Sequence, residues 1–341
     1  MQSISPSFVL VHISLLVTLS IPPAATAAER LPALKGDSER TSVSGFSSGA
    51  YMAVQYEVAY SASVQGAGII AGGPYYCAAG NLLFTSICMG QVAGTPPNPV
   101  LMVLAAQKFA SEGKIDTLDH LKAHRIYVYS GTKDIVVKQP AVDALVEFYR
   151  ELSVPNGALL FVNNVPSGHA VITPDYGNDC DSAAAPAISH CSVNGAGYDQ
   201  AGVILSHIYG VLNPPAKSPA GKIILFDQKE FAAKKAKMAD EGYVYVPQSC
   251  ASGAPCNVHV AFHGCVQSAK SVGDRFYAHA GYNTWAETNN LIVLYPQVNA
   301  SLANPEGCWD WFGYTGKGYA TKTGPQLSAV KAMVDRLVGA P

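Results

Sequence analysis

The sequence predicts an α/β architecture, a mostly parallel sheet with helices on both faces, and three observations predict it. Short apolar runs rich in β-branched residues alternate with longer stretches of helical spacing, the pattern of crossover units on a parallel sheet. At 341 residues, 49% hydrophobic and 13% charged, the chain holds enough apolar material for one large core. No long Ser/Thr/Pro linker, heptad array or internal repeat interrupts it, so a single domain over 29–341 is the simplest organisation.

Taken in order, the chain begins with "MQSISPSFVLVHISLLVTLSIPPAATAAER". Its apolar stretch runs from Phe8 to Ile21 and is followed by small residues at Ala24, Ala25, Ala27 and Ala28. The stretch is short for a bilayer span, and the small residues suit a leader peptidase, so residues 1–28 read as a signal peptide cut near Ala27 or Ala28. It departs from the usual leader in lacking Lys or Arg before the apolar core, which keeps an anchored N-terminus as the alternative to cleavage. Secretion to the periplasm or the medium is therefore expected. No later segment has the unbroken apolar length of a membrane helix, so no span is expected in the mature chain.

The strand candidates are "VQGAGIIAGG" (64–73), "RIYVYSG" (125–131), "ALLFVNNV" (158–165), "GKIILFD" (221–227), "GYVYVPQ" (242–248), "NVHVAFHG" (257–264) and "LIVLYPQ" (291–297). Their β-branched and aromatic content and their turn-forming flanks favour extended chain. Helical spacing predicts helices over 48–60, 98–112, 140–152, 198–210, 227–238, 274–289 and 324–338.

Charge narrows the partners. A net charge of −2 with no Lys/Arg block argues against nucleic acid or an anionic membrane surface and suits a neutral or apolar substrate. All eight cysteines lie beyond the leader and their number is even, which fits a disulfide framework in an exported protein. Eight cysteines allow 105 pairings. Pairing sequence neighbours closes the shortest loops and gives Cys77–Cys88, Cys180–Cys191, Cys250–Cys256 and Cys265–Cys308. A zinc site is the weaker reading, because no Cys-x-x-Cys pair occurs.

The stretch "TSVSGFSSGAYMAVQ" (41–55) carries the chemistry. Gly45-Phe46-Ser47-Ser48-Gly49 fits Gly-x-Ser-x-Gly, in which small residues let a strand turn sharply into a helix and leave the serine hydroxyl exposed. The pattern alone is common and also suits a plain turn. Here a β-like run precedes it and a helix-like run follows, which is the context a nucleophile elbow requires.

Serine becomes a nucleophile when a histidine takes its proton and a carboxylate orients that histidine. Asp134 follows the strand candidate "RIYVYSG", and His169 follows "ALLFVNNV" in "PSGHAVITPDYG". Both sit beyond the carboxyl ends of strands, where open α/β sheets build their sites. The order Ser, Asp, His is that of α/β hydrolases. Asp116 and Asp119 lie in the charged stretch "EGKIDTLDHLKAHR", which reads as a solvated helix. His120 and His124, four apart there, lack a third ligand, and His190 and His207 lack a strand-end context. An oxyanion hole needs the amide after the nucleophile, that of Ser48, and a second amide from another strand's loop. "VHVAFHGCVQS", with His263-Gly264-Cys265 after a strand, is the candidate. His263 itself reads as a packing or loop-orienting residue. Because this strand follows the histidine, whereas it precedes the nucleophile in the common order, the fold is expected to be circularly permuted. The helix over 324–338 then takes the place of the one that leads into the nucleophile strand.

"SGFSSGAYMAVQ", "SGTKDIVV", "PSGHAVITPDYGNDC", "VAFHGCVQS" and "GCWDWFGYTG", in this order, resemble the single-domain, circularly permuted, fungal-type poly(3-hydroxybutyrate) depolymerases, and the likeness covers essentially the whole mature chain. The resemblance implies an α/β-hydrolase fold and a Ser47, His169, Asp134 triad. It also implies an oxyanion hole from the amides of Ser48 and Cys265, a water-insoluble polyester or its short oligomers as substrate, and no metal or organic cofactor. Unlike many extracellular depolymerases, this sequence shows no linker and appended substrate-binding domain, so polymer contact falls to the catalytic domain's own surface, with Trp309 and Trp311 of "CWDW" as substrate-binding candidates beside core packing as the plainer role. A monomer is expected. A secreted esterase for small or carbohydrate-linked esters shares the same triad, and a catalytically dead hydrolase fold kept for binding is the remaining alternative. Asn299-Ala300-Ser301 is a glycosylation sequon, relevant in a eukaryotic host.

Overall fold

The computed structural model of the chain describes residues 1–2 and 28–339. The expected leader therefore lies almost wholly outside the described residues. Eight strands, β1 (Gly36–Phe46), β2 (Val64–Ile70), β3 (Arg125–Tyr129), β4 (Leu159–Val162), β5 (Lys222–Asp227), β6 (Glu241–Val246), β7 (Cys256–Phe262) and β8 (Leu291–Tyr295), form one sheet. Their spatial order is β4-β3-β2-β1-β7-β8-β6-β5. The strands from β4 to β8 in that order pair in parallel, whereas β6 runs antiparallel to both β8 and β5. The buried strands read as continuous apolar runs because helices cover both faces. Val43, Ile69, Val128, Val260 and Ile292 to Leu294 are all inaccessible and belong to one continuous core.

The expected permutation is visible in the strand order. Read from β5 through β8 and on to β1 through β4, the strand bearing the His-Gly turn precedes the strand that leads into Ser47, the order expected of an unpermuted α/β hydrolase. The longer helices among the described residues are α1 (Ser48–Ala59), α2 (Pro99–Ser111), α3 (Gln139–Glu151), α4 (Gln200–Tyr209), α5 (Tyr282–Thr288) and α6 (Pro325–Val338). Helix α1 is buried on every side, so its apolar residues are spread around the whole turn and not along one stripe, and its buried Gln55 and Glu57 are hydrogen-bonded to Asp310 O and His124. Helix α6 begins with proline at its first position and ends at Gly339 with φ 70°, the usual punctuation of a helix. Leu34 N–H donates to Leu337 O at 3.0 Å, so α6 lies against the segment that leads into β1.

Three expectations fail locally. The helix expected over 227–238 is two short 3₁₀ turns, Gln228–Glu230 and Lys234–Ala236. Its Ala and Lys favour helix, but Gln228 is buried and its amide bonds the carbonyls of Ala239 and Gln297, so tertiary bonds override propensity. The helix expected over 274–289 breaks at Gly281, φ 93°, into Arg275–His279 and α5. The stretch read as a solvated helix is a 3₁₀ turn, Leu118–Ala123, that buries Leu121 and is followed by the buried His124.

The four disulfides are Cys77–Cys88, Cys180–Cys191, Cys250–Cys256 and Cys265–Cys308. Among the described residues no helix is long and apolar enough to cross a membrane.

Candidate active site

The parallel register brings the carboxyl ends of the central strands level. Phe46 pairs with Ile70, Ile70 with Tyr129, and Tyr129 with Val162. Residues leaving these ends share one rim, at the point where the sheet is built outwards in both directions. Ser47 occupies the turn between β1 and α1 with φ 55° and ψ −120°, a conformation that costs a non-glycine residue about 1–3 kcal/mol. Its amide donates to Ile70 O at 2.9 Å, holding the elbow against β2. The flanking glycines are needed for space. A Cβ on Gly45 would lie 2.0 Å from Gly49 O, and one on Gly49 would lie 2.3 Å from Phe262 O and 2.4 Å from His263 O. The motif thus seats α1 directly on the end of β7.

Asp134 and His169 come from the loops after β3 and β4. These loops touch through Lys133 N–H and Ser167 O at 3.0 Å, and Gly131 permits the approach, since a Cβ there would lie 2.4 Å from that oxygen. Asp134 Oδ1 accepts the amides of Val136 at 2.8 Å and Val137 at 3.0 Å. Its Oδ2 is 2.7 Å from His169 Nδ1, and His169 Nε2 is 2.9 Å from Ser47 Oγ. A carboxylate can only accept, so Nδ1 carries the proton and Nε2 presents its lone pair to the serine hydroxyl. The imidazole also packs on Phe46, with ring centroids 4.5 Å apart. The structure thus joins Ser47, His169 and Asp134 in one hydrogen-bonded chain.

The rivals bond elsewhere. His124 lies between Glu57 and Ser61 O, His207 bonds Ala158 O, Asp119 pairs with Lys122 and Asp116 with Lys322. His120 and His190 are exposed.

The amides of Ser48 and Cys265 have no protein acceptor among the described residues, and both residues line the cavity that holds Ser47 and His169. The Cys265 turn is anchored by the bond to Cys308 and by Val266 N–H donating to Glu306 O at 2.7 Å. His263 beside it is fully buried. Burial lowers its imidazole to about 4, so the ring is neutral; its Nδ1–H donates to Gly264 O at 2.7 Å and its Nε2 accepts Val298 N–H at 3.1 Å. Cys265, Glu306 and Cys308 bring three donor atoms within 4.8 Å of one another, but both sulfurs are in a disulfide and offer no thiolate to a metal.

The cavity, about 570 Å³, is walled by apolar groups including Tyr51, Leu82, Met89, Val137, Pro186 and Phe312. Trp311 belongs to this wall, stacked on Tyr51 with ring centroids 4.5 Å apart. Trp309 does not. It is wholly buried and meets Phe262 edge-on at 5.0 Å, because residues 309–311 form irregular chain and neighbours two apart need not share a face. Tyr51 and Phe312 were not singled out in the sequence, where nothing in their local pattern marks them as cavity wall. A second cavity of about 560 Å³, lined by Asp240, Glu241, Lys270 and Gln297 among others, contains none of these groups.

No family model matches the chain. The poly(3-hydroxybutyrate) depolymerase of Delftia acidovorans is 44% identical over 317 residues, covering 91% of this chain and 62% of that protein, so the chain spans under two thirds of that relative. The polyhydroxybutyrate depolymerase of Talaromyces funiculosus is 38% identical over an alignment of 348 residues, covering 96% of this chain and 97% of the relative. The crystal structure of PHB depolymerase from Penicillium funiculosum superposes with a TM-score of 0.83 at 35% identity, covering 91% of this chain and 99% of that one. A PHB depolymerase variant complexed with an R3HB trimer gives the same figures.

Proposed function

The chain belongs to the poly(3-hydroxybutyrate) depolymerase family, and from that premise we propose that it hydrolyses poly(3-hydroxybutyrate), or a related short-chain polyhydroxyalkanoate, through an acyl-enzyme on Ser47. The observation that carries the reading is the chain of bonds at 2.9 Å from Ser47 to His169 and 2.7 Å from His169 to Asp134, opening on an apolar cavity. Ser47 Oγ attacks the ester carbonyl while His169 Nε2 takes its proton, and Asp134 holds the ring and stabilises the imidazolium that forms. The carbonyl oxygen, now negative, is met by the amides of Ser48 and Cys265. His169 returns the proton to the departing hydroxyl end of the polymer. A water, deprotonated by the same nitrogen, then releases the acid and restores Ser47.

An uncharged polyester suits a wall whose lining holds one carboxylate, that of Glu306, and no Lys or Arg. We also propose that residues 29–341 act as a single secreted catalytic domain. The four disulfides support an oxidising destination. A complete Ser47, His169 and Asp134 set on one chain lets a monomer suffice for the reaction.

The test is Ser47→Ala, assayed by clearing of a polyester suspension and by hydrolysis of a soluble butyrate ester. Loss of a triad nucleophile lowers kcat on the order of 10⁶-fold with folding intact. Retention of more than a few per cent of activity by a folded variant removes Ser47 from the role, and a wild type that cleaves the soluble ester but never clears polymer removes the polyester.

A further inference from the structure

The turn that carries the Cys265 amide is tied to the Pro186–Ala187 segment by one buried side chain. Gln267, 1% exposed, accepts Gly264 N–H on Oε1 at 2.7 Å. Its Nε2 donates to Pro186 O at 2.8 Å and to Ala187 O at 3.1 Å. Both amide hydrogens and the amide oxygen are therefore committed to backbone groups. Ala187 O also accepts Val171 N–H at 3.0 Å, and Val171 is two residues beyond His169. Pro186, Ala187, Cys265 and Val266 all line the cavity that holds Ser47.

The orientation of the Cys265 amide follows from peptide geometry. The Gly264–Cys265 peptide group is planar and trans, so its C=O and N–H point in opposite directions. His263 holds the Gly264 carbonyl through Nδ1–H, which turns the Cys265 N–H the other way. His263 thus sets the tilt of this peptide, and Gln267 sets where the turn stands relative to the histidine loop. Without the Gln267 bridge, each loop keeps its own internal bonds and loses its register with the other.

We propose that Gln267 is a positioning residue for the ester hydrolysis proposed above, holding the Cys265 amide and the His169 loop in one register so that both address the same carbonyl. The proposal rests on the Ser47 reading. Gln267 touches neither substrate nor proton; it acts through the Gly264 amide and the Ala187 carbonyl.

Two variants test it on p-nitrophenyl butyrate with the full chain. Gln267→Met keeps length and volume and loses all three bonds. Loss of an oxyanion donor costs about 10²- to 10³-fold in kcat, and a displaced donor loses part of that, so a fall on the order of tenfold is expected with KM within about twofold. Gln267→Glu keeps an acceptor for Gly264 N–H and sets a carboxylate against two carbonyls. Protonation restores one O–H donor, so its kcat relative to wild type should rise as pH falls from about 8 to about 5. Dividing by wild type at each pH removes the titration of the shared machinery, and a merely structural role leaves the ratio flat. Gln267→Met with kcat within about twofold of wild type, or a flat Gln267→Glu ratio, overturns the proposal; should Gln267→Met fail to fold, the Gln267→Glu ratio decides alone. Failure of the underlying reading looks different: the wild type itself is inactive, or Ser47→Ala is active.

Discussion

Removing the Cys265–Cys308 bond by the double Cys→Ser substitution separates two effects that the fold combines, a constraint on the unfolded chain and a constraint on the Cys265 amide. The bond closes a sequence separation of 43 residues, and the chain-entropy relation gives about 13 cal/mol/K, or about 4 kcal/mol at 25 °C. Cys250–Cys256 closes 6 residues, for which the same relation gives about 2 kcal/mol. Both bonds should therefore be cut in parallel. Function distinguishes them further, because Cys265 is in the cavity wall and Cys250 and Cys256 are not. After the cut the turn still has the His263, Gln267 and Glu306 bonds, so the amide loosens without being removed and kcat should fall on the order of tenfold, short of the 10²- to 10³-fold cost of a lost donor. Urea unfolding gives the stabilities, and hydrolysis of a soluble butyrate ester below the unfolding transition gives kcat. The 265/308 variant should lose more stability than the 250/256 variant, and it alone should lose kcat. Equal kcat in the two variants would refute the link between this bond and the oxyanion amide, and equal stability losses would refute the entropic account.

Trp309→Ala should lower stability by about 3–5 kcal/mol, since a core indole leaves a cavity, and the two activities should fall together as the fold weakens. Trp311→Ala should cost more activity on polyester film than on a soluble ester; proportional losses on both substrates would make Trp311 core as well. Acid should destabilise the fold through His259 and His263, which burial lowers to about 3 and about 4. Unfolded, each binds a proton near pH 6.5, so between about pH 6.5 and 4 the unfolded state holds the extra protons and stability falls with pH by about 1.4 kcal/mol per unit for each histidine. Urea midpoints between pH 7.5 and 5 measure this, and a stability independent of pH over that range would contradict neutral histidines in the core.

What was legible in the sequence is what local physics determines. Gly45, Ser47 and Gly49 could be read because the elbow's steric demands lie within five residues, and Asp134 and His169 because a parallel sheet places function at strand ends. The seven strand candidates coincide with β2 to β8 to within a few residues, since a run buried on both faces has few other places to go. Partners distant in sequence were not legible. Nothing in "GCVQS" announces that Gln267 meets Pro186 and Ala187, and nothing in "CWDW" tells which indole faces the cavity. The Lys- and Ala-rich run after Asp227 misled for the same reason, because its fate is settled by Gln228 bonding Ala239 and Gln297. The short ribbon of Val171–Thr173 with Ile188–His190, which supports the His169 loop, has strands too brief to leave a periodic trace.

The permutation shows why chain order matters so little to the site. Gly45 pairs with Phe262 in the parallel ladder between β1 and β7, so Ser47, two residues past the first, stands beside the turn that begins one residue past the second. That juxtaposition is set by register, and register is set by which side chains of each strand are buried. Whether the His-Gly turn is made before the nucleophile or more than two hundred residues after it changes neither. What the rearranged chain must still supply is alignment between loops that no ladder joins. In the mechanism proposed above that alignment comes from the Cys265–Cys308 bond, the His263 imidazole and the Gln267 amide, each fastening the Cys265 turn to a different neighbour. Substitutions at these three points should therefore disturb the geometry between nucleophile, base and oxyanion donor more than equally buried substitutions within the strands, whose alignment the sheet itself maintains.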